Sequence, residues 1–355
     1  KEIKRTKRKL RRLRKRYRRQ IIKTIILKLI GNNYNLKKKY DVALLNRRKR
    51  IYKKKYYNLP VNEKMIVFDA FMGRKFVDSP KAIYEYMLRD SRFCDYTFVW
   101  AFKHPNKKRY YFNNNRTIII KYNSATYLKY CAQAKYWITN SRIPDYLIKK
   151  DNQIFIQCWH GTPLKKLGFD IDVKGGNKNT DNEMLKQKYE NDALRYNYMI
   201  SPSQYCTKKF ISAFNLKNIN KENIIVEQGY PRNDYLINYK ESDVEEIKIN
   251  LNIPRNKKVI LYAPTWRDNQ HTIGVGYTYK LGVDFDNVME YLSDEYVILF
   301  RAHYFVANKF DFERYSGFVY NVSKYEDINE LYIISDMLIT DYSSVFFDYA
   351  NLKRP

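Results

Sequence analysis

The stretch that decides the fold is Ile154-Phe155-Ile156-Gln157-Cys158-Trp159-His160-Gly161-Thr162-Pro163-Leu164-Lys165. Its apolar start is typical of a buried strand, and Pro163 ends that pattern. His160 therefore follows the end of the strand directly. Because ligands of open α/β folds bind at the carboxyl ends of strands, the stretch predicts a proton-transfer side chain that a rigid element presents to a cleft.

A second histidine has the same kind of position. His303 closely follows the apolar run 296–300, and the chain has only 4 histidines against 35 tyrosines. Histidine titrates near neutral pH, so two strand-end histidines indicate one site built from two parts of the chain. Each histidine taken alone also fits a hydrogen-bonded structural residue, and this alternative stays open.

Apolar runs alternate with helical stretches on both sides of this segment. We predict strands at residues 65–68, 97–102, 117–120, 136–139, 154–158, 198–201 and 224–227, and a second set at 259–263, 297–300, 318–321 and 337–340. Such alternation is typical of parallel sheets in α/β proteins. The expected fold is therefore α/β, with two Rossmann-like halves separated by the charged, helix-prone stretch 241–251.

Charge is concentrated at the amino terminus. Residues 1–60 hold 25 Lys and Arg against Glu2 and Asp41, within a net charge of +30 for the chain. We therefore predict three domains: a basic arm at 1–60, a first Rossmann-like domain at 61–240 and a second at 241–355. The 45% hydrophobic share is enough for two cores.

The arm is predicted to contain a helix at 4–30 with one apolar face. The residues at three- and four-residue spacing are Leu10, Leu13, Tyr17, Ile21 and Ile25. A basic helix with an apolar cluster at 21–30 favours an anionic membrane surface as its partner. A helix packed on the body or in a coiled coil is the alternative. Nucleic acid is not expected, because no motif of a nucleic-acid-binding fold follows.

Hydroxyl and arginine side chains follow several other predicted strands. The run Thr340-Asp341-Tyr342-Ser343-Ser344 joins a strand to a helix, which is typical of an anion site or of an ordinary helix cap. Arg232, Arg267 and Arg301 also follow strands. One such arginine is usually in a surface ion pair, whereas three together indicate a cleft for a diphosphate.

Other classes of site lack their motifs. Neither G-x-G-x-x-G nor a P-loop is present, and the four cysteines show no metal-ligand spacing. The D-x-D at 170–172 is common by chance, so we predict neither a metal nor a cofactor. No signal peptide and no apolar run of transmembrane length is apparent.

Six motifs in order carry a resemblance to a known family. They are WHGTPLKKLG, SPSQY, GYPRNDYL, LYAPTWRD, RAH and LITDYSSVFFDYA. Together they resemble the CDP-glycerol glycerophosphotransferase family of bacterial teichoic acid synthesis, and 68–80 is similar to its opening segment. The resemblance covers about residues 65–355. It implies a GT-B fold, with two Rossmann-like domains facing a cleft, and membrane association at the cytoplasmic face.

The resemblance also implies an activity. Such enzymes transfer glycerol phosphate, or ribitol phosphate in close relatives, from a CDP-activated donor to a lipid-linked polyol phosphate acceptor. His160 would be the base and His303 a second essential histidine. Residues expected to bind substrate are Gly161, Thr162, Lys165, Arg232, Asn233, Arg267, Arg301, Thr340, Asp341, Ser343 and Ser344.

Several alternatives stay open from the sequence. They are a ribitol phosphate transferase, a GT-B glycosyltransferase that uses a nucleotide sugar, and a membrane-binding scaffold on a degenerate transferase fold. The sequence does not decide between a primase and a polymerase, or whether the chain forms a homo-oligomer. Relatives usually continue beyond the position of Pro355, so the second domain is expected to be incomplete, and an additional amino-terminal module stays open.

Overall fold

The structure is a computed structural model that describes residues 2–31, 33–171, 182–265, 271–272, 276–277, 283–302 and 310–355. Within these residues the α-helices are α1 (Glu2–Ile30), α2 (Tyr34–Tyr52), α3 (Asp78–Arg89), α4 (Ala125–Gln133), α5 (Asn182–Ala193), α6 (Gln204–Ala213), α7 (Asp234–Asn238), α8 (Glu241–Asn250), α9 (Phe285–Leu292), α10 (Ile328–Ile334) and α11 (Val345–Tyr349).

The described strands form three sheets. The strands are β1 (Asn62–Asp69), β2 (Thr97–Phe102), β3 (Thr117–Lys121), β4 (Ala134–Thr139), β5 (Ile154–Gln157), β6 (Tyr198–Ser201), β7 (Ile225–Glu227), β8 (Lys258–Ala263), β9 (His271–Thr272), β10 (Gly276–Tyr277), β11 (Tyr296–Phe300), β12 (Val319–Asn321) and β13 (Met337–Thr340). The larger sheet has the order β3-β2-β1-β4-β5-β6-β7, the smaller sheet has the order β12-β11-β8-β13, and β9 pairs with β10.

The two main sheets are parallel throughout. The α/β prediction and all eleven predicted strands are confirmed, because long apolar runs bounded by polar turns leave little ambiguity. The short antiparallel pair β9–β10 was not predicted. The proposed domain boundaries stay a prediction, although the larger sheet ends at Glu227 and the smaller begins at Lys258.

Register places the functional segments at one edge of each sheet. In the larger sheet, Thr139 pairs with both Asp69 and Gln157, so the turns after β1, β4 and β5 start level with one another. In the smaller sheet, Ala263 pairs with Thr340 and Tyr262 with Phe300. The residues that follow β8, β11 and β13 therefore also share one edge, as parallel pairing requires.

The amino-terminal region consists of two helices. The predicted helix at 4–30 is α1, whose described apolar side chains are largely exposed, with Tyr17 68% and Leu29 80% exposed. The second helix, α2, was not predicted, since lysines and arginines mask its weak apolar face. Its last residue, Tyr52, is fully buried in the core of the larger sheet, so the region predicted as an arm already packs on the body before residue 60.

Candidate active site

A cavity of about 270 Å³ lies between the carboxyl edges of the two main sheets. The segment after β5 lines one side, and the turns after β8 and β13 line the other. The described lining residues are Trp159, His160, Gly161, Thr162, Pro163, Leu164, Lys165, Leu167, Thr265, Tyr342, Ser343 and Ser344. The fold thus brings together six residues predicted from sequence, namely His160, Gly161, Thr162, Lys165, Ser343 and Ser344.

The His160 ring is held in one tautomer. Its Nδ1 lies 2.7 Å from the backbone carbonyl oxygen of Asn140. Because a carbonyl oxygen can only accept, Nδ1 carries the proton, and in the neutral ring Nε2 keeps its lone pair. Partial desolvation lowers the His160 pKa below the ordinary value, although the residue is exposed at the cavity. The neutral imidazole, with Nε2 as proton acceptor, is therefore favoured near pH 7.

The backbone before His160 turns sharply out of the sheet. Trp159 has a φ of 52°, in the left-handed region, and its N–H donates to Oε1 of Gln157 at 2.9 Å. The Trp159 ring is anchored edge-on against Phe210 and Phe214, with ring centroids 5.7 and 5.3 Å away. The cost of this conformation, of order 1–3 kcal/mol, is offset by burial of the indole. The turn places His160 beyond the strand and stacks its ring on Trp159 at 4.5 Å.

A second strained turn supports the histidine from β1, which is separated from β5 by β4 in the sheet. After β1, Phe71 and Met72 have φ values of 51° and 57°. Their N–H groups donate to the side chains of Asn140 at 2.8 Å and Ser141 at 2.9 Å. The Phe71 ring in turn contacts His160 edge-on, with centroids 6.0 Å apart. Sequence reasoning missed this support, because the group that orients His160 is a backbone carbonyl.

The smaller sheet supplies the hydroxyl side of the cavity. The Asp341 carboxylate accepts from the Thr265 N–H at 2.8 Å and from the Thr265 hydroxyl, and Thr340 Oγ1 donates to the Ala263 carbonyl at 2.7 Å. Thr340 and Asp341 therefore tie the turns together, while Ser343 and Ser344 line the cavity. A Cβ placed on Gly161 would lie 2.9 Å from Ser344 Oγ, which shows how closely the two sides approach.

Arg232 and Asn233 lie in a buried cluster beside the cavity. Arg232 is 5% exposed and contacts the carboxylates of Asp78 at 3.2 Å and Asp348 at 3.1 Å, and its guanidinium stacks on Tyr230 at 4.0 Å. Burial opposes this charge, but Asp78 and Asp348 raise the pKa of Arg232 above its ordinary value. Asn233 Nδ2 donates to Asp348 at 3.1 Å. A phosphate-binding role for Arg232 and Asn233 stays a prediction.

The remaining predicted residues lie away from the cavity or outside the described residues. Arg301 donates through Nη1 to the carbonyls of Val322 at 3.0 Å and Tyr325 at 2.9 Å. His303 and Arg267 lie outside the described residues, so the prediction of a second histidine stays open. Across the described ranges, no group of three or more His, Cys, Asp or Glu side chains is placed to hold a metal ion.

Comparison with known proteins places this chain in a family. The model of CDP-Glycerol:Poly(glycerophosphate) glycerophosphotransferase matches residues 51–355. The chain is 44% identical over 297 residues to the teichoic acid poly(glycerol phosphate) polymerase of Staphylococcus epidermidis, which covers 83% of this chain and 40% of that protein. It is 41% identical over 298 residues to the teichoic acid glycerol-phosphate transferase of Staphylococcus aureus. That match covers 83% of this chain and 73% of the transferase.

A solved structure agrees with these matches. The wall teichoic acid polymerase TagF superposes with a TM-score of 0.79 at 42% identity, covering 91% of this chain and 77% of that one. A variant of TagF has also been studied after a soak with CDPG. The chain spans less than half the length of the Staphylococcus epidermidis polymerase. On the family match and these identities, the chain belongs to the CDP-glycerol:poly(glycerophosphate) glycerophosphotransferase family.

Proposed function

We propose that this chain transfers glycerol phosphate from CDP-glycerol to a hydroxyl of a lipid-linked teichoic acid acceptor and releases CMP. The observation that carries the proposal is His160, whose Nδ1 is fixed by the Asn140 carbonyl and which lines one cavity with Ser343 and Ser344. The glycerol phosphate relatives support the choice of glycerol over ribitol. The cavity between two parallel sheets is also what a GT-B architecture provides.

The reaction is a direct displacement at the β-phosphorus. The acceptor hydroxyl oxygen forms the new bond to this phosphorus while His160 Nε2 takes the hydroxyl proton. The bond from the phosphorus to the bridging oxygen breaks, and CMP leaves with the electron pair. The hydroxyls of Ser343 and Ser344 and the ammonium of Lys165 stabilise charge on the transferring phosphoryl group, so most of the catalysis is positioning and electrostatics.

The amino-terminal region supports a location of the protein at the cytoplasmic face of the membrane. Ile21, Ile22 and Ile25 are 42–56% exposed on a helix that otherwise carries mainly lysine and arginine. Such a helix binds an anionic surface through charge and through burial of its apolar side chains. Among the described residues, no helix combines the length and the apolarity needed to cross a bilayer.

The activity is tested by supplying labelled CDP-glycerol or CDP-ribitol with a lipid-linked acceptor analogue and sizing the products. We expect glycerol phosphate incorporation with one CMP released per unit added, and incorporation from CDP-ribitol at least tenfold slower. Faster transfer from CDP-ribitol would support the ribitol alternative, and transfer of a sugar from a nucleotide sugar would support a glycosyltransferase. No transfer from any donor would favour the scaffold.

Membrane binding is tested by removing residues 1–30. Sedimentation with anionic liposomes should be lost in the shortened protein, and in the intact protein it should weaken as the Debye length falls from about 10 Å at 0.1 M salt to about 3 Å at 1 M. Uncharged liposomes are the control. Unchanged sedimentation of the shortened protein would contradict the proposal, and loss of folding would favour a packed helix.

A further inference from the structure

A second cavity of about 340 Å³ adjoins the cavity that contains His160. The two share Pro163, Leu164, Lys165 and Leu167, so the segment after the histidine forms a common wall. The described residues of the second cavity are Pro163, Leu164, Lys165, Lys166, Leu167, Asp170, Tyr205, Lys209, Ser212 and Ala213. All of them precede the smaller sheet, whereas the first cavity takes residues from both halves of the chain.

Close contacts fix the shape of this second cavity. The Tyr205 hydroxyl donates to the carbonyl of Pro163 at 3.1 Å, which ties α6 to the common wall. Gly168 has a φ of 47°, and a Cβ there would lie 2.1 Å from the carbonyl oxygen of Ala213. The loop at Gly168 therefore packs against the end of α6 at a distance that no side chain permits.

The second cavity is basic. Lys165, Lys166 and Lys209 line it, while the described lining contains one carboxylate, Asp170, which accepts a hydrogen bond from the Ser212 hydroxyl. Tyr205, Lys209 and Ser212 lie on one face of α6, because their spacing of four and three residues matches the helical repeat. Three ammonium groups against one engaged carboxylate leave an excess of positive charge, which suits an anion.

We propose that this second cavity binds a phosphodiester group of the acceptor chain while the terminal hydroxyl of that chain lies at His160. The inference rests on the proposed function. A polyol phosphate acceptor carries an anionic phosphodiester next to its terminal unit, and the two cavities lie side by side along the segment that follows His160. The donor phosphates belong in the first cavity, because Ser343 and Ser344 line that cavity and not the second.

The test replaces two exposed lysines that line the second cavity and leaves Lys165 intact. In the double variant Lys166→Gln/Lys209→Gln, the KM for a polyol phosphate acceptor should rise about tenfold, as expected for two exposed ion pairs. The KM for CDP-glycerol should stay within about twofold. The acceptor KM of the wild type should also rise with salt, and this dependence should be weaker in the double variant.

Lys208→Gln is the matched control. Lys208 is exposed on the same helix, next to Lys209, but does not line the cavity, so its acceptor KM should equal that of the wild type. An unchanged acceptor KM in the double variant would overturn the inference, as would an equal rise in the control. A rise in the CDP-glycerol KM alone would assign the cavity to the donor instead. If the wild type transfers nothing, the proposed function fails before any variant is compared.

Discussion

The two halves of the chain meet in several places, and two of these regions differ in chemistry. At the junction cluster, formed by Asp78, Arg232, Asn233 and Asp348, a buried guanidinium donates to two carboxylates, and one of these also accepts from an amide. At the cavity, His160 and Ser344 stand on opposite sides of a space of about 270 Å³. In sequence, Arg232 of the cluster and His160 of the cavity both belong to motifs that follow strands. Polar residues thus join the two halves where they pair with one another, and they line an open cavity where they do not.

Of the two regions, the cavity should show the largest effect of a substitution. His160→Ala removes the proton acceptor, so turnover should fall about 10²–10⁴-fold while donor affinity changes little. Initial rates with CDP-glycerol and calorimetric donor binding measure the two quantities. His104→Ala, at an exposed histidine away from the cavity, should behave like the wild type. Turnover near the wild-type value in His160→Ala would remove the histidine from the mechanism.

Substitution in the junction cluster should lower the stability of the fold. Asp348→Asn leaves the buried Arg232 with Asp78 as its one carboxylate partner, and the free energy of unfolding should fall by about 3 kcal/mol. Glu245→Gln is the control, because its partner Arg255 has a side chain that is 76% exposed, and such a pair contributes about 1 kcal/mol or less. Urea unfolding measures both. Equal losses in the two variants would show that the cluster is not sealed from water.

Sequence patterns predicted the strands of the two main sheets and six of the twelve described residues that line the cavity, but not which polar residues are paired in the junction cluster. The strands and the position of His160 follow from local apolar runs and turn residues. The partners of Arg232, by contrast, lie 154 and 116 residues away, at Asp78 and Asp348, so no local pattern shows that its charge is already paired. The carbonyl of Asn140 also leaves no signal, because any residue would supply it.

The decrease of kcat/KM at low pH should reflect protonation of His160 in the cavity and not a change in the junction cluster. Burial lowers the His160 pKa, so the ring stays neutral until the pH falls below about 6.5, the ordinary value for histidine. Because protonation removes the base, kcat/KM should be level just above that pH and should decrease about tenfold per pH unit once below the lowered pKa. Rates between about pH 5 and 8 measure this. An inflection above 6.5, or the same inflection in His160→Ala, would contradict the assignment.

The smallest effect tests how closely the two sides of the cavity approach. A methyl group on Gly161 would lie 2.9 Å from Ser344 Oγ but 3.6 Å from Ser344 Cβ. Gly161→Ala therefore forces the Ser344 hydroxyl to rotate away, and donor affinity should fall by about 0.5–1 kcal/mol, the energy of one hydrogen bond. Calorimetric titration with CDP-glycerol measures the change.

Combining Gly161→Ala with Ser344→Ala shows whether the two residues are in contact or whether their effects on donor affinity are independent. Ser344→Ala removes the oxygen that the new methyl group would meet, and the remaining 3.6 Å separation is an ordinary van der Waals contact. Adding Gly161→Ala to Ser344→Ala should therefore cost almost nothing, with a coupling energy of about 0.5–1 kcal/mol between the two sites. If the two effects simply add, the sides of the cavity are farther apart in solution. A donor that bridges His160 and Ser344 would then require the two sides of the cavity to move together. The junction cluster requires no such motion, because its residues are already in contact.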